Sequence, residues 1–120
     1  MPQKILVIDD ELGILKLVKT RLEAKQFEVL TAVDGEEGLE VAKRGHPDLI
    51  ILDIQMPKMD GYTFVREAQK LPDLRSIPVI VLTAKDKMQD LFKVEGIKDY
   101  IVKPFDGDVL LSAIKKHLPK

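Results

Sequence analysis

Short runs rich in valine and isoleucine recur along this chain and alternate with longer stretches of helical period. The strongest runs are at residues 5–8, 49–52 and 78–82, and weaker ones are at 29–32 and 100–102. Near-continuous apolarity is typical of strands buried on both faces, as in a parallel sheet covered by helices. The pattern therefore predicts five parallel strands, each buried between layers of helix.

The segments between these runs carry apolar residues at spacings of three and four, as expected for helices with one buried face. These stripes are Leu12, Leu15, Val18 and Leu22; Leu39 and Ala42; Phe64, Val65 and Ala68; and Leu110, Ala113, Ile114 and Leu118. A further helix, around Met88 to Val94, is short and weakly patterned. Alternating strands and helices predict a doubly wound α/β fold with right-handed crossovers. We expect a flavodoxin-like, five-stranded parallel sheet of strand order 2-1-3-4-5 with five helices.

The length of the chain limits it to one folded unit. Its 120 residues are enough to bury a core but too few for a second domain. No repeat, low-complexity tract or linker-like stretch interrupts the pattern, and the last predicted helix ends at Leu118. We therefore expect a single domain over residues 1–120, with no output domain.

Composition excludes several classes of function. The 19 basic and 20 acidic residues nearly cancel, so the overall charge favours neither nucleic acid nor an acidic membrane surface. The absence of cysteine excludes disulfides, thiol catalysis and cysteine-based zinc sites. The first apolar segment, of about five residues, is too short for a secretory signal or a spanning helix. A cytoplasmic location is expected.

Chemically capable side chains follow four of the five predicted strands. Asp9 and Asp10 follow the first, Asp53 the third, Thr83 the fourth and Lys103 the fifth. The carboxyl ends of parallel strands meet at one edge of the sheet, where open α/β folds bind their ligands. The pattern therefore predicts a magnesium-assisted phosphoryl site at this edge.

The first and third strands are neighbours in a flavodoxin-like sheet, so Asp9, Asp10 and Asp53 should converge. Two carboxylates about 4 Å apart repel by about 1 kcal/mol in water and about 4 kcal/mol at an effective dielectric of 20. Such a cluster favours a cation, and Mg²⁺ prefers oxygen ligands of this kind. His46 and His117 lie away from the strand ends, which argues against a transition metal.

Each of these groups also has an ordinary structural explanation. Asp9, Asp10 and Glu11 could simply favour the positive end of the first helix. Thr83 could be the N-cap of the next helix, and Lys103 could be a solvent-exposed lysine in a turn. The coincidence of all the groups at strand ends favours a functional site.

Five motifs in this order resemble a response-regulator receiver domain of the bacterial two-component type, similar to the chemotaxis regulators, over essentially the whole chain. The motifs are Val7-Ile8-Asp9-Asp10-Glu11, Asp48-Leu49-Ile50-Ile51-Leu52-Asp53, Met56-Pro57 with Asp60-Gly61, Leu82-Thr83-Ala84, and Asp99-Tyr100-Ile101-Val102-Lys103-Pro104-Phe105. One departure is that the stretch from Thr83 to Lys103 looks about two residues shorter than is common in the family, which places the shape of the weak fourth helix in question.

The resemblance implies a nucleophile and a metal site. Asp53 would be the phosphoacceptor, attacking a phosphohistidine or a small acyl phosphate. Asp10, Asp53 and the backbone carbonyl of Gln55 would bind Mg²⁺ directly, and Asp9 would act through water. The domain would catalyse its own phosphorylation and dephosphorylation and would turn over no external substrate.

The resemblance also implies a switch and its partners. Lys103 would pair with the phosphoryl oxygens, Thr83 would turn inward to hydrogen-bond them, and Tyr100 would follow into the vacated space. The Lys103–Pro104 peptide bond would be cis. The partners would be a sensor histidine kinase or phosphotransfer protein, and an output protein or domain bound to the face of the fourth helix, fifth strand and fifth helix. No nucleic acid or membrane contact is expected.

Two other classes of function use similar residues. A phosphatase or phosphotransferase of the haloacid-dehalogenase kind also has an aspartyl nucleophile with magnesium, but needs a second Asp where Gln55 stands. A flavodoxin-like cofactor binder, or a pseudo-receiver that only scaffolds, is the third possibility. A cofactor binder needs a glycine-rich phosphate loop after the first strand, where Asp9, Asp10 and Glu11 would repel a phosphate.

Overall fold

The structure is a computed structural model that describes residues 2–54, 59–83 and 96–119. Within these residues five strands and four helices occur in the order β1 (Lys4–Ile8), α1 (Leu12–Ala24), β2 (Glu28–Ala32), α2 (Gly35–Gly45), β3 (Leu49–Asp53), α3 (Gly61–Gln69), β4 (Val79–Thr83), β5 (Ile97–Val102) and α4 (Gly107–His117). The helix predicted around Met88 to Val94 lies outside the described residues, as does Gln55.

The strands form one parallel sheet in the order β2-β1-β3-β4-β5, which confirms the predicted topology. The register brings the carboxyl ends of the strands level. Ile8 lies opposite Leu52, Asp53 opposite Leu82, and Thr83 opposite Val102. Residues that end or follow β1, β3, β4 and β5 therefore share one edge of the sheet.

The core lies in two layers, one on each face of the sheet, because successive strand residues point to opposite faces. On one face the side chains of β1, β3 and β4 pack with α2 and α3, through Ala42, Phe64, Val65 and Ala68. On the other face they pack with α1 and α4, through Leu15, Val18, Leu22, Leu110 and Ile114. Helices on both faces explain why these strand sequences are almost entirely apolar.

The first helix departs from its predicted stripe at one position. Leu15, Val18 and Leu22 are buried as predicted, but Leu12 is 70% exposed. Leu12 is the first residue of α1, and the buried face of the helix begins only at Leu15. The prediction that Leu12 shares the buried face is therefore wrong.

Three helices begin at an aspartate whose side chain accepts a hydrogen bond from the backbone of the first turn. Asp34 accepts from Glu37, Asp60 from Thr63 and Asp106 from Asp108, at 2.8, 2.8 and 2.9 Å. Such N-caps satisfy amide groups that have no partner inside the helix. The fourth described helix, α1, begins at Glu11 with no side-chain cap.

The start of α3 approaches the backbone beside Asp53 closely. A Cβ atom at Gly61 would lie 2.8 Å from the Cα atom of Ile54 and 3.1 Å from the carbonyl oxygen of Asp53. The Gly61 amide donates to the Ile54 carbonyl at 3.0 Å. Only glycine allows this approach, so Gly61 lets the start of α3 pack directly against the end of β3.

The structure also bears on the predicted cis peptide bond and on membrane-spanning helices. The Lys103–Pro104 peptide bond is cis, as the resemblance implies. In the described part of the chain, no helix combines the length and the apolar composition needed to cross a membrane.

Replacing Asp60 tests how much its N-cap stabilises α3. Asp60→Ala should lower the free energy of unfolding by about 1 kcal/mol, because the Thr63 amide loses its acceptor. Asp60→Asn keeps a side-chain oxygen and should lose much less. Urea denaturation of both variants beside the wild type measures the difference; an equal loss in both would show that the charge of Asp60, rather than the cap, matters.

Candidate functional site

Three carboxylates converge at the carboxyl edge of the sheet. Asp9 follows β1 and is fully buried, Asp53 ends β3 and is 5% exposed, and Asp10 is exposed. One carboxylate oxygen from each lies within 4.8 Å of the others. The predicted proximity of these three residues is confirmed, and it follows from the pairing of β1 with β3.

Lys103 brings an ammonium group to the same place. Its Nζ atom lies 3.3 Å from Asp9 Oδ2, 3.3 Å from Glu11 Oε1 and 3.4 Å from Asp53 Oδ2. The side chain is only 18% exposed. The alternative in which Lys103 is a solvent-exposed turn lysine is therefore wrong.

The electrostatics of Lys103 reflect two opposing effects. Burial alone would lower the pKa of the ammonium group, because it penalises the charged form. The charges of Asp9, Asp53 and Glu11, with the hydrogen bond to Asp9, outweigh burial and raise the pKa above its ordinary value. Lys103 is therefore held as a cation at neutral pH.

Thr83 and Tyr100 lie on the two strands beyond β3. Thr83 ends β4 and is buried, and its backbone carbonyl accepts a hydrogen bond from the Lys103 amide at 2.8 Å. Tyr100 lies on β5 opposite Val81, is half-buried, and packs against the apolar layer that contacts α2 and α3. Thr83 thus lies at the carboxyl edge one strand away from Asp53, and Tyr100 lies two residues before the end of β5.

The acidic run after β1 does more than begin a helix. Asp9 Oδ1 accepts the Glu11 amide hydrogen at 2.9 Å, while its other oxygen faces Lys103. The contact between Glu11 and Lys103 was not predicted from the sequence. The only sequence feature that points to this contact is that Glu11 directly follows the two aspartates. The same feature is equally consistent with an acidic residue at the start of a helix.

Comparisons with known proteins agree with this geometry. Residues 5–115 match the response regulator receiver domain family. This chain is a receiver domain of that family. It is a module of two-component signalling, as the sequence motifs indicate.

Relatives of the receiver domain include both longer proteins and isolated domains. This chain is 43% identical over 120 residues to the probable transcriptional regulator ycf27 of Porphyridium aerugineum. The match covers 97% of this chain and 48% of that protein. The chain thus spans about half the length of that curated relative. The chemotaxis response regulator CheY4 of Vibrio cholerae is 33% identical, with a TM-score of 0.91 over 98% of this chain and all of that one.

A further structural relative bears on the acidic cluster. The receiver domain of a sensor histidine kinase from Pseudomonas aeruginosa is 28% identical, has a TM-score of 0.88 over 98% of each chain, and was solved with a magnesium ion coordinated in its active-site cleft. In the present receiver domain the donor set is three carboxylates, two of them buried. Hard oxygen donors of this kind fit Mg²⁺ better than a softer metal.

Both histidines of the receiver domain lie at helix ends, away from the acidic cluster. His46 is the C-cap of α2, in a left-handed conformation. His117 ends α4, and its Nε2 atom lies 3.0 Å from Asp99 Oδ2 on β5. The prediction that neither histidine belongs to the metal site is consistent with these positions.

The raised pKa of Lys103 predicts a specific pH dependence. Because the folded pKa exceeds the unfolded value of about 10.4, the stabilisation from Lys103 is fully present below that pH and is lost as pH rises through the folded pKa. The difference in unfolding free energy between wild type and Lys103→Met, measured in urea with a chelator, should be constant below about pH 10 and shrink above it. A difference that grows with pH would contradict this assignment.

Proposed function

We propose that this receiver domain is a phosphorylation switch: Asp53 accepts a phosphoryl group from a histidine kinase or a phosphotransfer protein, with Mg²⁺ present, and the change alters a partner-binding surface. One observation carries the proposal. The nearly buried Asp53 carboxylate lies within 4.8 Å of two other carboxylates and 3.4 Å from the Lys103 ammonium, at the carboxyl end of β3.

The proposed reaction forms one bond and breaks one. An Asp53 carboxylate oxygen attacks phosphorus, and the bond from phosphorus to the donor nitrogen, or to the oxygen of an acyl phosphate, breaks with its electron pair leaving on the donor. Such transfers depend on positioning and on neutralising charge rather than on acid–base chemistry. Lys103 is placed to neutralise phosphoryl oxygens because its ammonium group already lies beside Asp53.

The same edge can hold the metal that the family implies. Asp10 and Asp53, with the backbone carbonyl of Gln55, would bind Mg²⁺ directly, and Asp9 through water; Gln55 lies outside the described residues. When bound, Mg²⁺ supplies positive charge to the phosphoryl oxygens. The carboxylates hold and orient that charge beside the nucleophile, and their mutual repulsion is relieved in doing so.

Thr83 and Tyr100 are the proposed switch. Phosphorylation adds negative charge at the end of β3, and a hydroxyl at the end of the neighbouring strand can hydrogen-bond it. Thr83 is at that position and is buried. Movement of Thr83 toward the phosphoryl group would free space for Tyr100, which is half-buried on the edge strand, and so transmit the change to the surface.

The proposal also covers the partners and the location of this receiver domain. An output protein or domain would bind the face built from β5, α4 and the helix predicted around Met88 to Val94. A formal net charge of −1 supports a protein partner rather than nucleic acid or an acidic membrane. We assign residues 1–120 to one receiver unit acting in the cytoplasm. We expect this unit to modify only itself. A phosphatase of the haloacid-dehalogenase kind needs Asp at the position of Gln55, so Gln55 argues against turnover of an external substrate.

Intact mass spectrometry after incubation with acetyl phosphate and magnesium tests the phosphoacceptor. The wild type should gain one phosphoryl group, and Asp53→Asn should gain none because the nucleophile is removed. A chelator should abolish the gain in the wild type. Labelling that persists in Asp53→Asn, or a wild type that is not labelled by acetyl phosphate or by a histidine kinase, contradicts the proposal.

Thermal stability tests the metal site independently of phosphorylation. Magnesium at ten times its dissociation constant should stabilise the fold by about 1.4 kcal/mol, since it binds only the folded state. Asp10→Asn should lose most of this gain, because Asp10 is one of the three carboxylates. Glu36→Gln is the matched control: it removes one charge from the first turn of α2, at the same edge of the sheet. An equal response in Asp10→Asn and wild type would overturn the assignment.

A further inference from the structure

Glu11 occupies the N-cap position of α1 but does not cap it. Its backbone is extended, with φ −85° and ψ 106°, and its side chain accepts no hydrogen bond from the helix. A capping side chain is usually worth about 1 kcal/mol, and the other described helices have one. The Glu11 carboxylate is instead 3.3 Å from Lys103 Nζ, so its position is set by the lysine rather than by the helix.

Three carboxylates share this one ammonium group. Lys103 Nζ lies 3.3 Å from Asp9, 3.3 Å from Glu11 and 3.4 Å from Asp53. Lys103 Nζ donates hydrogen bonds to Asp9 and Glu11 and forms an ion pair with Asp53, so its one positive charge is shared by three carboxylates. A phosphoryl oxygen on Asp53 would therefore have to share the Lys103 ammonium with Asp9 and Glu11.

The three acceptors differ in how easily they can be released. The Asp9 side chain is 0% exposed, so losing Lys103 would leave a buried charge unpaired at a high cost. The Asp53 carboxylate loses its own charge when one of its oxygens is phosphorylated, so its contact with Lys103 passes to the phosphoryl group. The Glu11 side chain is 61% exposed, and water can replace its contact with Lys103. Glu11 is thus the acceptor that competes with an incoming phosphoryl group.

We propose that Glu11 is a positioning residue that competes with the phosphoryl group for the Lys103 ammonium and so slows phosphorylation of Asp53. The inference rests on the proposed function, because it assigns a regulator to the same reaction. Glu11 acts through Lys103 and needs no contact with the phosphoryl group.

Rates of phosphorylation by acetyl phosphate test this competition. Glu11→Gln should raise the rate constant about two- to fivefold, the size expected for one partly exposed ion pair. Glu11→Asp retains the charge, but its side chain is one methylene shorter and cannot hold the same contact, so it should also be faster than wild type. If only the repulsion between Glu11 and an anionic donor mattered, Glu11→Asp would behave like wild type, and the inference would be wrong.

Two controls separate the contact from general effects. Glu36→Gln removes one negative charge at the same edge of the sheet and should leave the rate unchanged. In a Lys103→Met background, Glu11→Gln should no longer raise the residual rate, since the shared ammonium group is gone. A rise of equal size with and without Lys103 would overturn the inference.

A double-mutant cycle in urea, with a chelator and no donor, gives a readout that does not depend on phosphorylation. Glu11→Gln, Lys103→Met and the double variant should show non-additive losses of stability, because the two side chains are in contact. Additive losses contradict the contact. A wild type that is never phosphorylated overturns the proposed function together with this inference, whereas a phosphorylated wild type with an unchanged rate in Glu11→Gln overturns this inference alone.

Discussion

The carboxyl edge of the sheet depends on one shared ion pair, in which the Lys103 ammonium lies between the buried carboxylates of Asp9 and Asp53. Carboxylate oxygens less than 5 Å apart repel by about 3 kcal/mol at an effective dielectric of 20, and burial removes the water that would otherwise screen them. The main chain fixes both aspartates at strand ends, so they cannot separate. A cation is needed at this edge before any ligand arrives, and the chain supplies it from β5.

The reach of Lys103 explains why this cation is a lysine at that position. Adjacent strands lie about 4.8 Å apart, so β5 is about two spacings from β3 and three from β1. The Lys103 amide is hydrogen-bonded to Thr83 on the intervening strand, which anchors the backbone while the long side chain extends toward the aspartates. A shorter cation could not span this distance. The sheet order that brings the two aspartates together thus also requires a long side chain from the far edge.

Most of this arrangement could be predicted from the sequence, because it follows from strand ends. The apolar runs of β1, β3 and β4 are buried on both faces and give an unambiguous pattern, and the groups after them could be placed at one edge. β5 was harder to delimit. It begins at Ile97 rather than near Tyr100, since this edge strand is only partly buried and includes the polar residues Lys98 and Asp99.

Two local features could not have been predicted from periodicity. Leu12 satisfies the helical spacing but is exposed, because periodicity indicates which face of a helix is buried and not which of its turns is covered. The contact between Glu11 and Lys103 depends on side-chain conformations that bring together residues 92 positions apart in the chain. Neither the acidic run nor the lysine, taken alone, indicates which carboxylates the lysine contacts.

The unequal burial of these carboxylates has a consequence for the proposed switch. Phosphorylation would convert the Asp53 carboxylate into an acyl phosphate, a mixed anhydride, and place a group of charge about −1.5 to −2 slightly farther from the backbone. The buried Asp9 would still need Lys103, so the ammonium would have to remain near Asp9 while turning toward the new oxygens. Such a movement breaks the exposed Glu11 contact at the least cost, because water can hydrate the Glu11 carboxylate while Lys103 remains paired with Asp9. A site built this way retains its internal cation beside Asp9 through the whole reaction, while the contacts with Asp53 and the exposed Glu11 pass to the phosphoryl oxygens.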